Sequence, residues 1–190
     1  GEVCSNATRV FIQESIAEKF IAAIIEKTAA LSVGDPMNPD MTMGAMISQH
    51  HLDKVLSDVT AAQAEGATLA FGGKQLHPEG VEAGYYMQPT ILTNCHDDMG
   101  CVRQEIFGPV MSVLQFEDEA EAVRRANDTD YGLGAGIITQ NLSRAHRVAD
   151  QLQAGNVWIN SYNLTPPGLP FGGSKQSGIG REGSIYALEA

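Results

Sequence analysis

Three places in this 190-residue chain carry side chains that could do chemistry. Cys4 sits among small and polar neighbours, Gly1-Glu2-Val3-Cys4-Ser5-Asn6, just ahead of a strand-like run. Free cysteine titrates near ~8.5, so a nucleophilic role needs help, such as backbone N–H groups that stabilise a thiolate and later an oxyanion. On chemistry alone Cys4 stays open between nucleophile and inert thiol. Glu105-Ile106-Phe107-Gly108-Pro109 sets a carboxylate and an aromatic two residues apart, ahead of a turn and a buried strand. Such a turn can face a ligand crevice in an α/β sheet. Residue type alone favours a solvated glutamate and a core phenylalanine there. Trp158 lies in an apolar strand-like run and fits a core. Tyr162 and Phe171 lie in irregular chain, where they could line a pocket or face a cation.

Other chemical signals fade on inspection. Gly178-Ile179-Gly180-Arg181-Glu182-Gly183 spells the dinucleotide fingerprint, but a Pro/Gly loop precedes it and only seven residues follow. The motif needs a strand before it, a helix after it and an acidic residue about 20 positions on. Nor does the Gly172 to Gly178 stretch place the lysine as a phosphate loop requires. Both matches read as chance. Cys4, Cys95 and Cys101 form no close-spaced pair, which is neither a disulfide framework nor a zinc pattern. The adjacent His50 and His51 have no ligand at metal spacing, so no metal is expected. Asn6, Asn127, Asn141 and Asn163 begin glycosylation triplets that carry no meaning without a secretory leader.

These residues must be positioned by alternating strands and helices. Residues 8–13 read as a strand, followed by a capping box at Ser15 and Glu18 with Ile16, Phe20, Ile24 and Leu31 on one helical face. Ser48 can cap a second helix, with Leu52, Val55, Leu56 and Val59 at helical spacing and an end at Gly66. Strands are expected at 68–71 and 87–92, with Gly72-Gly73 turning between them. Residues 110–116 are nearly continuously apolar, as in a strand buried on both faces. A helix at 119–127, a strand at 134–139, a helix at 143–153 and a strand at 155–160 follow. This alternation predicts an α/β fold, an open and mostly parallel sheet flanked by helices. From residue 163 onward the chain is rich in proline and glycine with little periodicity.

Composition narrows the partners. The formal net charge is −11, from 12 Lys+Arg against 23 Asp+Glu, which disfavours nucleic acid and anionic membrane surfaces. No apolar run approaches the ~20 residues of a membrane span. The N-terminus shows no secretory leader, its abrupt start suggests trimming from something longer, and a reducing cytoplasm is the expected location.

Taken in order and spacing, the cysteine motif, Gln104-Glu105-Ile106-Phe107-Gly108-Pro109-Val110, Asn127-Asp128-Thr129-Asp130-Tyr131-Gly132-Leu133 and the run from Pro170 to Glu182 resemble the aldehyde dehydrogenase superfamily over essentially the whole chain. The resemblance implies its catalytic domain without the Rossmann-like domain. Residues 1–162 would carry the nucleophile, and 163–190 an irregular tail running back towards the cofactor domain of a longer parent. By itself that tail is expected to be poorly ordered or packed on another copy. The resemblance implies Cys4 as catalytic nucleophile, Glu105 on the nicotinamide ribose with Phe107 beside it, and Tyr162 and Phe171 in the aldehyde pocket. NAD or NADP would serve the full-length parent, with none bound to this piece alone.

The family's general-base glutamate, its oxyanion asparagine and its cofactor domain all precede the cysteine; Glu2 is not that base. The piece is therefore expected to be inactive alone, and the parent to be a homo-oligomer. The residues from Arg124 to Leu133 and the Trp158-Ile159-Asn160-Ser161-Tyr162-Asn163 stretch look most like betaine-aldehyde and trimethylaminobutyraldehyde dehydrogenases, whose cationic substrates suit aromatic side chains. Another aldehyde, or a non-catalytic module, is the alternative.

Overall fold

The computed structural model describes residues 2–188, so Gly1 of the cysteine motif and the last two positions of the tail lie outside it. The chain divides into two compact units, one of residues 1–3 and 8–116, the other of residues 4–7 and 117–190.

In the first unit the elements run β1 (Arg9–Gln13), α1 (Ala17–Ala29), α2 (Gln49–Ala64), β2 (Thr68–Phe71), β3 (Gln75–Leu76), β4 (Tyr86–Met87), β5 (Thr90–Thr93), α3 (Gly100–Arg103) and β6 (Val110–Phe116). Strands β1, β6, β5 and β2 form one sheet in that order. The pairs β1–β6 and β5–β6 are parallel, while β2 runs antiparallel to β5. The sheet is therefore mixed, its antiparallel edge being the short β2–loop–β5 return.

Alternation along the strands feeds both faces of this sheet. Ile91 and Val113 pack with Phe20, Ile21, Ile24 and Ile25 of α1 on one face. Their sequence neighbours Leu92 and Leu114 pack with Leu52, Val55 and Val59 of α2 on the other. Leu52, Val55, Leu92 and Leu114 are all fully buried. That double burial explains why β6 reads as one apolar run. α2 keeps its expected cap, with Ser48 Oγ accepting from the N–H of His51 at 3.2 Å. It ends where Gly66 takes φ +110.

Several local expectations are corrected. No capping box forms at Ser15: residues 14–16 make a 3₁₀ turn, and α1 starts at Ala17 without a side-chain cap. Ser15 thus lies inside the turn instead of at the cap. Ile16 and Leu31, flanking the helix, are 53% and 44% exposed, while the expected Phe20 and Ile24 do pack against the sheet, joined by Ile21 and Ile25. The expected strand at 87–92 is two strands, because Pro89 has no N–H to donate between them. β4 pairs with β3 and β5 joins the main sheet.

The second unit contains α4 (Glu119–Asn127), β7 (Tyr131–Gly132), β8 (Gly134–Ile137), α5 (Leu142–Ala149), β9 (Asn156–Ile159) and β10 (Ser174–Lys175). β8, α5 and β9 make a strand–helix–strand unit with parallel pairing, Gly136 opposite Trp158. Asp118 and Asn141 cap the two helices through their Oδ1 atoms, each 2.9 Å from a backbone N–H. Glu119 joins the helices by accepting from Arg147 Nε at 2.7 Å and Arg144 Nε at 3.3 Å.

The tail makes backbone and side-chain hydrogen bonds to the rest of the second unit. β10 pairs antiparallel with β7, and Lys175 Nζ donates to the carbonyls of Asn127 and Thr129 at 2.7 and 3.0 Å. Phe171 and Glu182 exchange backbone hydrogen bonds of 2.9 and 2.8 Å. The fingerprint-like stretch 178–183 is a turn with left-handed glycines, including Gly180 and Gly183 at φ +78. No described helix is long and apolar enough to cross a membrane.

Candidate active site

Cys4 occupies a turn and is exposed, whereas Cys95 and Cys101 are buried in the core of the first unit. Cys95 is held well above the ordinary thiol range, first by its hydrogen bond with Cys101 and then by burial. These two thiols pack against sheet and helix, as expected for structural cysteines.

The residue after Cys4 anchors its turn. Ser5 is buried, and its hydroxyl donates to Asn163 Oδ1 at 2.6 Å. Asn163 has φ +61, a left-handed backbone that asparagine accepts more readily than most residues. The neighbouring loop is pinned too, because Trp158 Nε1 donates to Leu164 O at 2.8 Å. Tyr162 stacks against Trp158 with ring centroids 5.0 Å apart. The Tyr162 ring also covers Gly136, where any Cβ would collide with it. Burial raises the Tyr162 phenol above its usual value.

Phe171 is fixed through its backbone. Asn156 Nδ2 donates to Pro170 O at 3.0 Å, and Asn156 Oδ1 accepts from Gly172 N at 3.1 Å. One β9 amide thus holds the residues on both sides of Phe171. Cys4, Tyr162 and Phe171 all belong to the second unit.

Glu105 and Phe107 belong to the first unit, on the loop entering β6. Phe107 has φ +55. Helix α2 holds the loop: Lys54 Nζ donates to Glu105 O at 3.3 Å and Ile106 O at 3.0 Å, and His51 Nε2 bonds Phe107 O at 2.7 Å. The His51 and Phe107 rings meet edge-on at 6.4 Å. Gly108 lets the loop close on α2, since a Cβ there would lie 2.8 Å from both methyls of Val55. The Glu105 carboxylate is left exposed. An exposed carboxylate on an anchored backbone fits a ribose, whose hydroxyls are donors in search of acceptors. His51, Lys54, Ser5 and Asn163 were not singled out from sequence, because their partners lie 51 to 158 positions away. His51 drew notice only as a candidate metal ligand, and Asn163 only as the start of a glycosylation triplet. The described residues contain no group of three or more His, Cys, Asp or Glu that could hold a metal ion.

Comparison with known proteins agrees in extent with these motifs. The model of the aldehyde dehydrogenase family matches residues 1–190. A betaine aldehyde dehydrogenase of Brucella anthropi is 52% identical over 188 residues, covering 99% of this chain and 39% of the relative. A 4-trimethylaminobutyraldehyde dehydrogenase of Mus musculus is 52% identical over 191 residues, covering 100% of this chain and 39% of the relative. The crystal structure of betaine aldehyde dehydrogenase from Staphylococcus aureus in complex with NAD+ superposes with a TM-score of 0.95 at 41% identity, covering 99% of this chain and 37% of that one. The chain thus spans about two fifths of the length of the relatives it matches.

Proposed function

Because this chain belongs to the aldehyde dehydrogenase family, we propose that it is the cysteine-bearing catalytic part of an NAD(P)-dependent enzyme that oxidises an aldehyde to a carboxylic acid, with betaine aldehyde as substrate. The observation that carries this reading is the exposed Cys4 thiol on a turn anchored by the Ser5–Asn163 hydrogen bond. The 52% identity to betaine aldehyde and trimethylaminobutyraldehyde dehydrogenases supports the substrate class.

In this mechanism the Cys4 thiolate adds to the aldehyde carbonyl and forms a thiohemiacetal, its oxyanion held in part by the Cys4 backbone N–H. NAD(P), when bound, accepts the hydride that the thiohemiacetal carbon gives up. The resulting thioester on Cys4 is hydrolysed by water, which releases the acid and returns the thiol. Glu105 accepts hydrogen bonds from the nicotinamide ribose, and Phe107 packs beside it. Tyr162 and Phe171 line the aldehyde pocket, where an aromatic face can attract a quaternary ammonium by roughly 0.5–2 kcal/mol.

The general base and most of the cofactor site belong to the rest of a longer parent, a cytoplasmic homo-oligomer. Residues 163–190 run back towards its cofactor domain. Alone, this chain binds no cofactor and turns over no aldehyde.

NAD-dependent oxidation of betaine aldehyde, measured with this chain and with the full-length enzyme, tests the reading. Turnover by the full-length enzyme alone, abolished by Cys4→Ala, is the expected result. Equal kcat/KM for betaine aldehyde and propanal would remove the substrate assignment, and turnover by this chain alone would remove the assignment as an incomplete part.

A further inference from the structure

Residues 105–107 present three consecutive backbone carbonyls, and side chains of α2 take all three. Lys54 takes those of Glu105 and Ile106, and His51 takes that of Phe107 at 2.7 Å. Three positions apart on a helix, the two side chains share one face. A second group meets the same imidazole nitrogen: Glu2 Oε1 lies 3.3 Å from His51 Nε2. That carboxylate oxygen also accepts from the N–H of Ile47 at 3.3 Å, which fixes where it sits. A carbonyl and a carboxylate are both acceptors, so the hydrogen must be on Nε2. His51 is therefore a donor shared between the segment that leads into Cys4 and the left-handed Phe107, whose φ of +55 persists only where surroundings hold it.

We propose that His51 is a positioning residue: its Nε2–H holds the Phe107 turn, ties it to Glu2 of the cysteine motif, and thereby sets how firmly Glu105 and Phe107 engage the nicotinamide cofactor. The cofactor clause rests on the reading of Glu105 and Phe107 given above. In this role His51 acts through the backbone of residue 107.

Two measurements separate the anchor from its consequence. In this chain, hydrogen exchange of the amides across residues 104–110 reports the loop directly, with no cofactor present. His51→Leu should speed that exchange about tenfold, the scale of one lost hydrogen bond, and His51→Gln, whose side-chain amide can still donate, should restore most of it. In the full-length enzyme, His51→Leu should raise the KM for NAD+ about tenfold, leave the KM for betaine aldehyde unchanged, and be rescued by Gln. Unchanged exchange in both variants overturns the proposal. Faster exchange with an unaltered KM for NAD+ upholds the anchor but overturns the cofactor clause and the reading of Glu105 and Phe107 beneath it. If His51→Leu does not fold, His51→Asn, too short to reach the Phe107 carbonyl, replaces it in both measurements.

Discussion

The ring of Tyr162 rests against that of Trp158, centroids 5.0 Å apart and planes inclined by 46°, and the site for both rings is the bare backbone of β8. Gly134 leaves room for Trp158 and Gly136 for Tyr162. These two glycines therefore set where both rings sit, although neither carries a side chain.

Gly136→Ala should push the Tyr162 ring out of place. Overpacking of this kind costs roughly 1–3 kcal/mol, and the denaturant midpoint should fall accordingly with the slope unchanged. In the full-length enzyme the KM for the aldehyde should rise while that for NAD+ stays level. An unchanged aldehyde KM in a destabilised Gly136→Ala enzyme would place Tyr162 outside the pocket.

Burial raises the Tyr162 phenol above its usual range, so the folded chain keeps it neutral where the unfolded chain ionises it. The unfolded value is about 10. The stabilisation is complete below that pH and is lost as pH rises through the folded value. The denaturant midpoint should thus decline above about pH 10, and it should decline less in Tyr162→Phe.

At Asn163 two effects can be separated by two substitutions. Asn163→Gly removes the acceptor for Ser5 and keeps a left-handed backbone easy; Asn163→Ala removes the acceptor and adds the left-handed cost. Both should lose about 1 kcal/mol for the hydrogen bond. Alanine should lose roughly 0.5–1 kcal/mol more, since the left-handed penalty is partly offset by glycine's larger unfolded-state entropy. Thermal unfolding of the two variants checks the order.

Thiol labelling should count one fast site out of three. Cys4 should react at once, while Cys95 and Cys101, 5% and 6% exposed, should wait for denaturant. Cys95 should stay silent even as the pH is raised to about 9, because its hydrogen bond with Cys101 and its burial keep it protonated beyond the ordinary thiol range of ~8.5.

Gly108→Ala tests the Glu105 loop from its packing side. Its Cβ would meet both methyls of Val55, so loop and helix must part. Stability should fall by roughly 1–3 kcal/mol, and the KM for NAD+ should rise in the full-length enzyme. A loss of stability without a change in that KM would detach the loop from cofactor binding.

The sequence made β6, α4 and the Ser48 cap legible to the residue, because each is written in local code: a double-sided apolar run, a capped charged helix, a serine before helical spacing. The mixed character of the sheet was not legible, because the direction of β2 depends on how tightly the chain returns between Phe71 and Thr90. Pro89 could have signalled the break between β4 and β5, since it lacks the donor a continuous strand needs. Of the candidate site residues, Cys4, Glu105 and Phe107 were named through the resemblance of their motifs, since residue type alone left Cys4 open and favoured a solvated glutamate and a core phenylalanine. The supports around them were not legible. The His51 contact spans 56 positions, and nothing in its local surroundings predicts a carbonyl partner.

The Ser5–Asn163 bond joins residues 158 positions apart, and residues 4–7 belong to a unit otherwise built from residue 117 onward. During synthesis the cysteine turn therefore emerges long before Asn163, the partner of Ser5, exists. At roughly 5–20 residues per second, the turn waits about 8–30 s before Asn163 is made. Through that interval the turn lacks its Ser5 anchor, and the thiol is open to oxidants and electrophiles. The anchored Cys4 turn is thus among the last features the growing chain acquires, and damage to this thiol during translation would remove the nucleophile that the proposed mechanism requires.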